Sequence, residues 1–340
     1  MSVISRVEVH EFTYEAEGVG IGAGGFAIVE MPGNRQKLSK FALRIVADDG
    51  AFGEYVGLWG ATGIALAQIL ALAPHLVGRD PLTRELIYDE FKRAHRQYDH
   101  MGYGHIDIAL WDLFGRSVGL SVAQLLGGWR SRLPAYASSM HGDRNGCLSS
   151  YGAFKMQGWY EGDVAEESAT IRLLGRRVGD RMALMLDPAC HIRTFTDAVA
   201  VGRACDEAGF RWYEDPYRDS GVSAFGHKKL REMIRTPLLQ TEHIRGVEPK
   251  ADFILAGGTD LLRADPEYDL GITGAMKIAH LAEALGVDVE LHASGPAHRH
   301  CMAAIRNTSF YEVALVGPKA RNPLPPVYAC DYSDELDAAG

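Results

Sequence analysis

The sequence has no run approaching the ~20 apolar residues that a membrane-spanning helix needs. Its start, Met1-Ser2-Val3-Ile4-Ser5-Arg6, lacks the apolar core of a secretion signal. Cytoplasmic residence with no membrane partner is therefore expected. Basic residues are in deficit: 35 Lys and Arg stand against 44 Asp and Glu, a formal net charge of −9. Phosphate backbones select a basic surface, so no nucleic acid is expected as a partner. Cysteine is sparse, and the five, at 147, 190, 205, 301 and 330, form no Cys-x-x-Cys pair. That argues against a thiolate zinc centre, and an odd number in such a chain reads as free thiols.

What is present is ordinary for a globular protein: 47% hydrophobic and 23% charged residues in 340. The length suits a barrel of roughly 250 residues with a smaller unit attached. In the first part, Ser39 to Val46 and Gly53 to Val56 have the pattern of strands in a meander, and Ile64 to Leu72 and Arg84 to Gln97 that of helices. Ile106, Ala109, Leu110 and Leu113 recur at helical spacing, in a helix expected to close at Gly115 and again at Gly119. Residues 1–130 are read as an α+β unit.

After Pro134 the rhythm changes. Short apolar runs end in a polar residue, and a helix of about a dozen residues follows each. The strand candidates are Tyr136–Ser138, Ala153–Met156, Ala183–Leu186, Arg211–Tyr213, Pro237–Gln240, Leu261–Ala264, Val287–Leu291 and Phe310–Tyr311, with helices such as Asp197–Ala208 and Ile272–Leu285 between them. Eight strands alternating with helices predict a closed parallel barrel, or a doubly wound open sheet. The barrel is assigned to residues 131–318 and a tail to 319–340.

The polar residues at the strand ends carry the chemistry. Lys155 and Gln157 flank the end of the second strand. Asp187, Glu214, Glu242, Asp265, His292 and Glu312 follow, one per βα unit. A single strand-end carboxylate is commonly a helix cap. An ordered set of them converges, in a barrel, on the mouth where active sites lie. Converging carboxylates raise one another's pKa values, and a divalent cation relieves that. Asp187, Glu214 and Glu242 are consecutive, so they are expected to hold a hard ion such as Mg²⁺.

These residues, with Ile106-Asp-Ile-Ala-Leu-Trp-Asp112, Leu125-Leu-Gly-Gly128, Trp212-Tyr-Glu-Asp-Pro216, Thr241-Glu242 and Gly271-Ile-Thr-Gly-Ala275, make the chain resemble the enolase superfamily, and within it the mandelate racemase subgroup. The resemblance covers nearly the whole chain. It implies a modified (β/α)7β barrel of the TIM type, an α/β fold, under an N-terminal α+β capping domain. It implies Mg²⁺ on Asp187, Glu214 and Glu242, His292 as a catalytic acid/base held by Asp265, and Glu312 facing the substrate carboxylate. It also implies a small-molecule carboxylate as substrate and a homo-oligomer. A metal on the substrate carboxylate stabilises an enediolate by several kcal/mol.

The chain departs from the subgroup where Lys-x-Lys ends the second strand, reading Lys155-Met156-Gln157. A glutamine amide hydrogen-bonds but takes up no proton. Racemisation needs bases on both faces of the α-carbon, whereas β-elimination needs one, so the departure favours dehydration of a sugar acid to a 2-keto-3-deoxy acid. A racemase or epimerase using Lys155 and His292 is the alternative, and a non-catalytic carboxylate-binding relative the second. Lys155 is either a base or a cation that holds the substrate carboxylate. His191, four residues past Asp187, either faces the pocket and binds substrate or caps the next helix. His243, directly after Glu242, either points into the mouth or packs into the barrel wall, and packing is the favoured reading. His298 and His300 either bind a polar substrate or start a solvated helix.

Two features remain. Gly20-Ile-Gly-Ala-Gly-Gly25 matches Gly-x-Gly-x-x-Gly, but it lacks the preceding buried strand and following helix of a dinucleotide site. It is read as a mobile cap loop, and Tyr55 and Trp59 either shape the pocket beside a second loop or pack in the core. The resemblance implies a longer tail after Glu312, so this one, expected to return towards the cap, is either short or truncated.

Overall fold

A computed structural model describes residues 2–21, 28–139, 151–157, 163–218 and 223–314, with only the backbone of 28–30, 32 and 157. The tail 319–340 and residues 22–27 of the glycine-rich loop lie outside the described residues.

The cap begins with an antiparallel sheet of β1 (Ile4–Ile21), β2 (Ile28–Ala47) and β3 (Phe52–Val56). β1 and β2 are longer than the hydrophobic pattern suggests. Their outer halves pair from Tyr14–Leu38 to Ile21–Ile28, where charged Glu15, Glu17, Arg35 and Lys37 are interleaved with buried Ala16 and Val19. Four helices follow: α1 (Gly63–Leu72), α2 (Arg84–Ala94), α3 (Tyr103–Val118) and α4 (Val122–Leu125). Ile106, Ala109, Leu110 and Leu113 of α3 are all buried, as their spacing predicts. The helix does not close at Gly115. A Cβ there would stand 2.7 Å from the Leu120 carbonyl oxygen, so this glycine permits a close approach. The stop is Gly119, whose φ of 69° is the left-handed cap.

The barrel strands are β4 (Ala135–Ser139), β5 (Ala153–Gln157), β6 (Ala183–Asp187), β7 (Trp212–Glu214), β8 (Leu238–Gln240), β9 (Leu261–Ala264), β10 (Val289–Leu291) and β11 (Tyr311–Val313). All eight strand candidates are present. β4 to β10 lie side by side in chain order, all parallel, and β11 pairs with β4. At the seam between β10 and β11, the Glu290 carboxylate accepts from the Ser309 and Phe310 amides, at 3.0 and 3.1 Å. The arrangement is a nearly closed parallel barrel, not an open doubly wound sheet. Its helices are α5 (Val164–Val178), α6 (Phe195–Ala208), α7 (Ala224–Arg231), α8 (Val247–Leu255), α9 (Gly271–Ala284) and α10 (Pro296–Ala304).

Side chains alternate along a strand with period two. Tyr136, Ala153, Met185, Trp212 and Leu239 form a small apolar cluster of their own, separate from the main core. Two positions further along four of these strands come Ser138, Lys155, Asp187 and Glu214. The polar set therefore occupies the next layer above an apolar plug, as side chains stack inside a barrel of this kind.

One buried carboxylate serves none of this. Glu167 of α5 is 0% exposed, and neither oxygen has a hydrogen-bond partner. Burial pushes its pKa up to about 8. The unfolded carboxyl ionises near 4.5, so the folded state loses stability as pH rises from there to about 8. Glu167→Gln is therefore expected to raise Tm, little at pH 5 and by several degrees at pH 8.5. Thermal melts at the two pH values check this, and an equal shift at both would contradict it.

Candidate active site

Seven strands, β5 to β11, deliver ionisable groups to one end of the barrel. Lys155 is wholly buried on β5, and its Nζ lies 3.2 Å from Asp187 Oδ2, 3.1 Å from Glu214 Oε2 and 3.0 Å from Glu312 Oε1. Arg263, on β9, extends inside the barrel. Its Nε is 2.7 Å from Glu214 Oε1, and its Nη2 donates to Glu312 Oε2 at 2.7 Å and to the Tyr136 hydroxyl at 3.0 Å. Glu242, just past β8, places Oε1 3.4 Å from His292 Nε2. His292 Nδ1 is 2.7 Å from Asp265 Oδ2, and the other oxygen of Asp265 lies 3.3 Å from His298 Nε2. The contacts form two sets, Lys155 with Asp187, Glu214 and Glu312, and His292 with Glu242 and Asp265. They adjoin where the Ala293 amide donates to Glu312 Oε2 at 2.8 Å. The oxygens of Asp187, Glu214 and Glu242 are not all within 4.8 Å of one another.

The backbone at this end is bent. Positive φ occurs at Ala189 and Cys190 after β6, Asp215 after β7, Thr241 after β8 and Ala293 after β10. Such strain in non-glycine residues concentrates at functional sites. Asp269 fixes the turn after β9: its Oδ2 accepts from the Asp265 amide at 2.9 Å and from Lys250 Nζ at 2.7 Å.

The electrostatics follow from the packing. Burial, with Asp187 and Glu242 nearby, raises the pKa of Glu214 against the opposing pull of Arg263 and Lys155. Burial opposes the charge on Lys155, but Glu214 and Glu312 overcome it and hold the ammonium well above its ordinary value. Burial likewise disfavours ionised Glu242, yet His292 and His243 bring it down to about 2. His292 is raised to about 9, burial being outweighed by Glu242 and by the hydrogen bond to Asp265.

Magnesium fits this donor set. Asp187, Glu214 and Glu312 cluster around Lys155 and Arg263, the two permanent cations among them, with Glu242 near enough to raise Glu214. The surplus is negative, buried and made of hard oxygen donors, which a divalent cation would compensate. Each carboxylate oxygen has two lone pairs, so contact with Lys155 leaves donor capacity. Asp187, Glu214 and Glu242 would be the ligands.

Other expectations are altered. His191 does not cap α6: Thr194 does, accepting from the Asp197 amide at 3.1 Å. His191 lies on the loop between β6 and α6, with Nδ1 buried and unbonded. Gln157 pairs in register with Asp187, and its side chain lies outside the described residues. His243 does not pack into the wall: its side chain is one-third exposed and its Nε2 lies 3.2 Å from Asp215 Oδ2. His298 starts a helix, as one reading has it, but is buried against Asp265 rather than solvated. Arg263 was not singled out, although an arginine inside an apolar strand was the available signal.

The cap reaches this end through Glu267, another residue the motifs did not mark. Its Oε1 accepts from the Tyr55 hydroxyl at 2.9 Å and the Leu58 amide at 2.7 Å, and its Oε2 from the Gly60 amide at 2.6 Å. That fixes the loop carrying Trp59, whose ring centroid is 6.5 Å from that of His292. Tyr268 stacks on the same imidazole at 5.5 Å. Tyr55 thus serves the joint and Trp59 the neighbourhood of the histidine.

Residues 137–329 match the enolase C-terminal domain-like family, and residues 32–127 match the mandelate racemase / muconate lactonizing enzyme N-terminal domain. Among known proteins, the chain is 29% identical over 310 residues to D-galactarolactone cycloisomerase of Agrobacterium fabrum, covering 85% of this chain and 79% of that one. Among solved structures it resembles D-glucarate dehydratase from Agrobacterium tumefaciens complexed with magnesium, with a TM-score of 0.81 and 27% identity over 92% of this chain and 86% of the other. A racemase from Streptomyces coelicolor A3(2) with bound magnesium shares the fold, with a TM-score of 0.77 and 22% identity over 91% and 89% of the two chains.

Glu267→Ala is expected to release the cap loop without unfolding the barrel. Hydrogen exchange at the Leu58 and Gly60 amides should accelerate by at least about tenfold, as each loses a charge-assisted bond. Unchanged exchange there would remove Glu267 from the joint.

Proposed function

We propose that this chain, which belongs to the mandelate racemase/muconate lactonizing branch of the enolase superfamily, uses Mg²⁺ to remove the proton beside a sugar-acid carboxylate and then breaks the neighbouring C–O bond. The observation that carries the elimination is the setting of Lys155. Its ammonium touches Asp187, Glu214 and Glu312 at once, so it stays protonated and serves as a cation for the substrate carboxylate. With glutamine at 157, that position offers no second base, and His292 works alone.

Asp265 accepts from His292 Nδ1, which leaves Nε2 as the nitrogen that exchanges a proton with substrate. Nε2 takes the C2 proton. As the C3–O bond breaks and a C2–C3 double bond forms, the imidazolium returns that proton to the departing oxygen. The enol then tautomerises to a 2-keto-3-deoxy acid. His298, on the second oxygen of Asp265, helps keep that carboxylate in place. Mg²⁺ on Asp187, Glu214 and Glu242 would supply positive charge against the charge developing on the substrate carboxylate, and would draw from His292 the carboxylate that keeps Nε2 protonated.

If the departing oxygen belongs to a hydroxyl, water leaves and the enzyme is a lyase. If it belongs to a ring of the substrate, nothing leaves and the same step is an isomerisation. The likeness to D-galactarolactone cycloisomerase favours this second form, and the likeness to D-glucarate dehydratase favours the first.

A panel of sugar acids and their lactones, incubated with the enzyme and Mg²⁺, separates the two by product mass. The expected product is a 2-keto acid, lighter by one water for the dehydratase and of equal mass for the cycloisomerase. Absence of any 2-keto acid across the panel would refute the proposal, and α-deuteration in D₂O without elimination would replace it with racemisation. His292→Asn should lower kcat by about 10²–10⁴-fold while calorimetry shows Mg²⁺ affinity retained. Unchanged turnover would take His292 out of the mechanism.

A further inference from the structure

Beside the magnesium residues lies a different donor set, made of Cys190 on the loop after β6, Asp215 directly after Glu214 and His243 directly after Glu242. Their sulfur, carboxylate oxygen and imidazole nitrogen all lie within 4.8 Å of one another. The Asp187, Glu214 and Glu242 oxygens are not drawn together in this way, since the Lys155 ammonium stands between the first two. His243 Nε2 is 3.2 Å from Asp215 Oδ2, and His243 also hydrogen-bonds the Cys190 thiol. The Cys190 amide donates to the Asp215 carbonyl at 2.9 Å, which ties the β6 loop to the end of β7. Asp215 is buried, and Cys190 and His243 are partly exposed, so the cluster is anchored at a buried carboxylate yet reachable from solvent.

The donor types choose the ion. A thiolate and an imidazole are poor ligands for Mg²⁺ and good ones for Zn²⁺ or Co²⁺. With bonds of about 2.0 to 2.3 Å, a tetrahedral ion holds its donors roughly 3.3 to 3.6 Å apart. Protein distances of 3.2 Å and up to 4.8 Å close to that range with small side-chain shifts. We propose that Cys190, Asp215 and His243 form a second metal site, selective for a borderline divalent ion such as Zn²⁺ and separate from the hard-ion ligands Asp187, Glu214 and Glu242. Binding would displace the thiol proton of Cys190 and any proton on His243 Nε2. Three protein ligands leave the fourth position open to water or another donor. Glu242 Oε1 lies 3.9 Å from His243 Nε2, so the two sites are neighbours and their occupants repel.

Co²⁺ titrated into Mg²⁺-saturated enzyme tests this. The expected result is one equivalent of Co²⁺ per chain with a thiolate-to-metal charge-transfer band in the near ultraviolet. Cys190→Ser, checked for folding by circular dichroism, should lose the band and weaken Co²⁺ binding at least tenfold. A titration without the band, or a band that survives in Cys190→Ser, overturns the site. Should Cys190→Ser fail to fold, alkylation of the wild-type enzyme followed by peptide mass analysis gives the same reading. Zn²⁺ should protect the Cys190 thiol, and alkylation unaffected by Zn²⁺ rejects the proposal.

Discussion

Two cations inside the barrel make the rest possible. Asp187, Glu214 and Glu312 could not share a buried layer without Lys155 and Arg263 threaded among them. Leaving a buried charge without its partner costs about 3–5 kcal/mol, a large part of the stability of any domain. The balance is incomplete by design of the residue set, because the acids outnumber the permanent cations. A divalent ion would answer that deficit. The same acids hold Lys155 in its charged form.

The same end of the barrel is where the cap is fastened. Asp107 of α3 accepts from the Thr273 amide at 2.9 Å and its hydroxyl at 2.7 Å, at the start of α9. The contact is close enough that a Cβ on Gly271 would stand 2.2 Å from Asp107 Oδ2. Two of the motifs that carry the family resemblance therefore meet each other across the joint. Burial lifts the Asp107 carboxyl to about 6 while the Thr273 bonds hold it down, so the joint is anchored by a group that burial alone would discharge. Glu267 fastens the cap a second time, within two residues of Asp265, and so ties the loop bearing Trp59 to the residue that orients His292.

Much of this was legible beforehand because it depends on local periodicity. The apolar runs that end in Asp187, Glu214, Asp265 and His292 mark barrel strands, and parallel barrels bring strand ends to one mouth. The spacing of Ile106, Ala109, Leu110 and Leu113 marks the buried face of α3. Arg263 and Glu267, and the contact of His298 with Asp265, have no local signal for a shared reason: each acts on a residue that chain order does not single out for it. His243 turns to Asp215 instead of packing as a strand residue would, because positive φ at Thr241 breaks the strand alternation just before it.

By itself the sequence determined the α/β class, the succession of strand and helix, the chemical types waiting at each strand end and the glutamine where a base would otherwise stand. These follow from side-chain chemistry and spacings of two and about 3.6 residues, which the chain carries without help from distant parts. Tertiary structure decided which carboxylates touch Lys155 and which touch Arg263, that Glu267 clasps the cap, and that a thiol, a carboxylate and an imidazole from three separate loops converge. Those pairings are set by strand register and barrel closure over tens to hundreds of residues, and no local pattern encodes them.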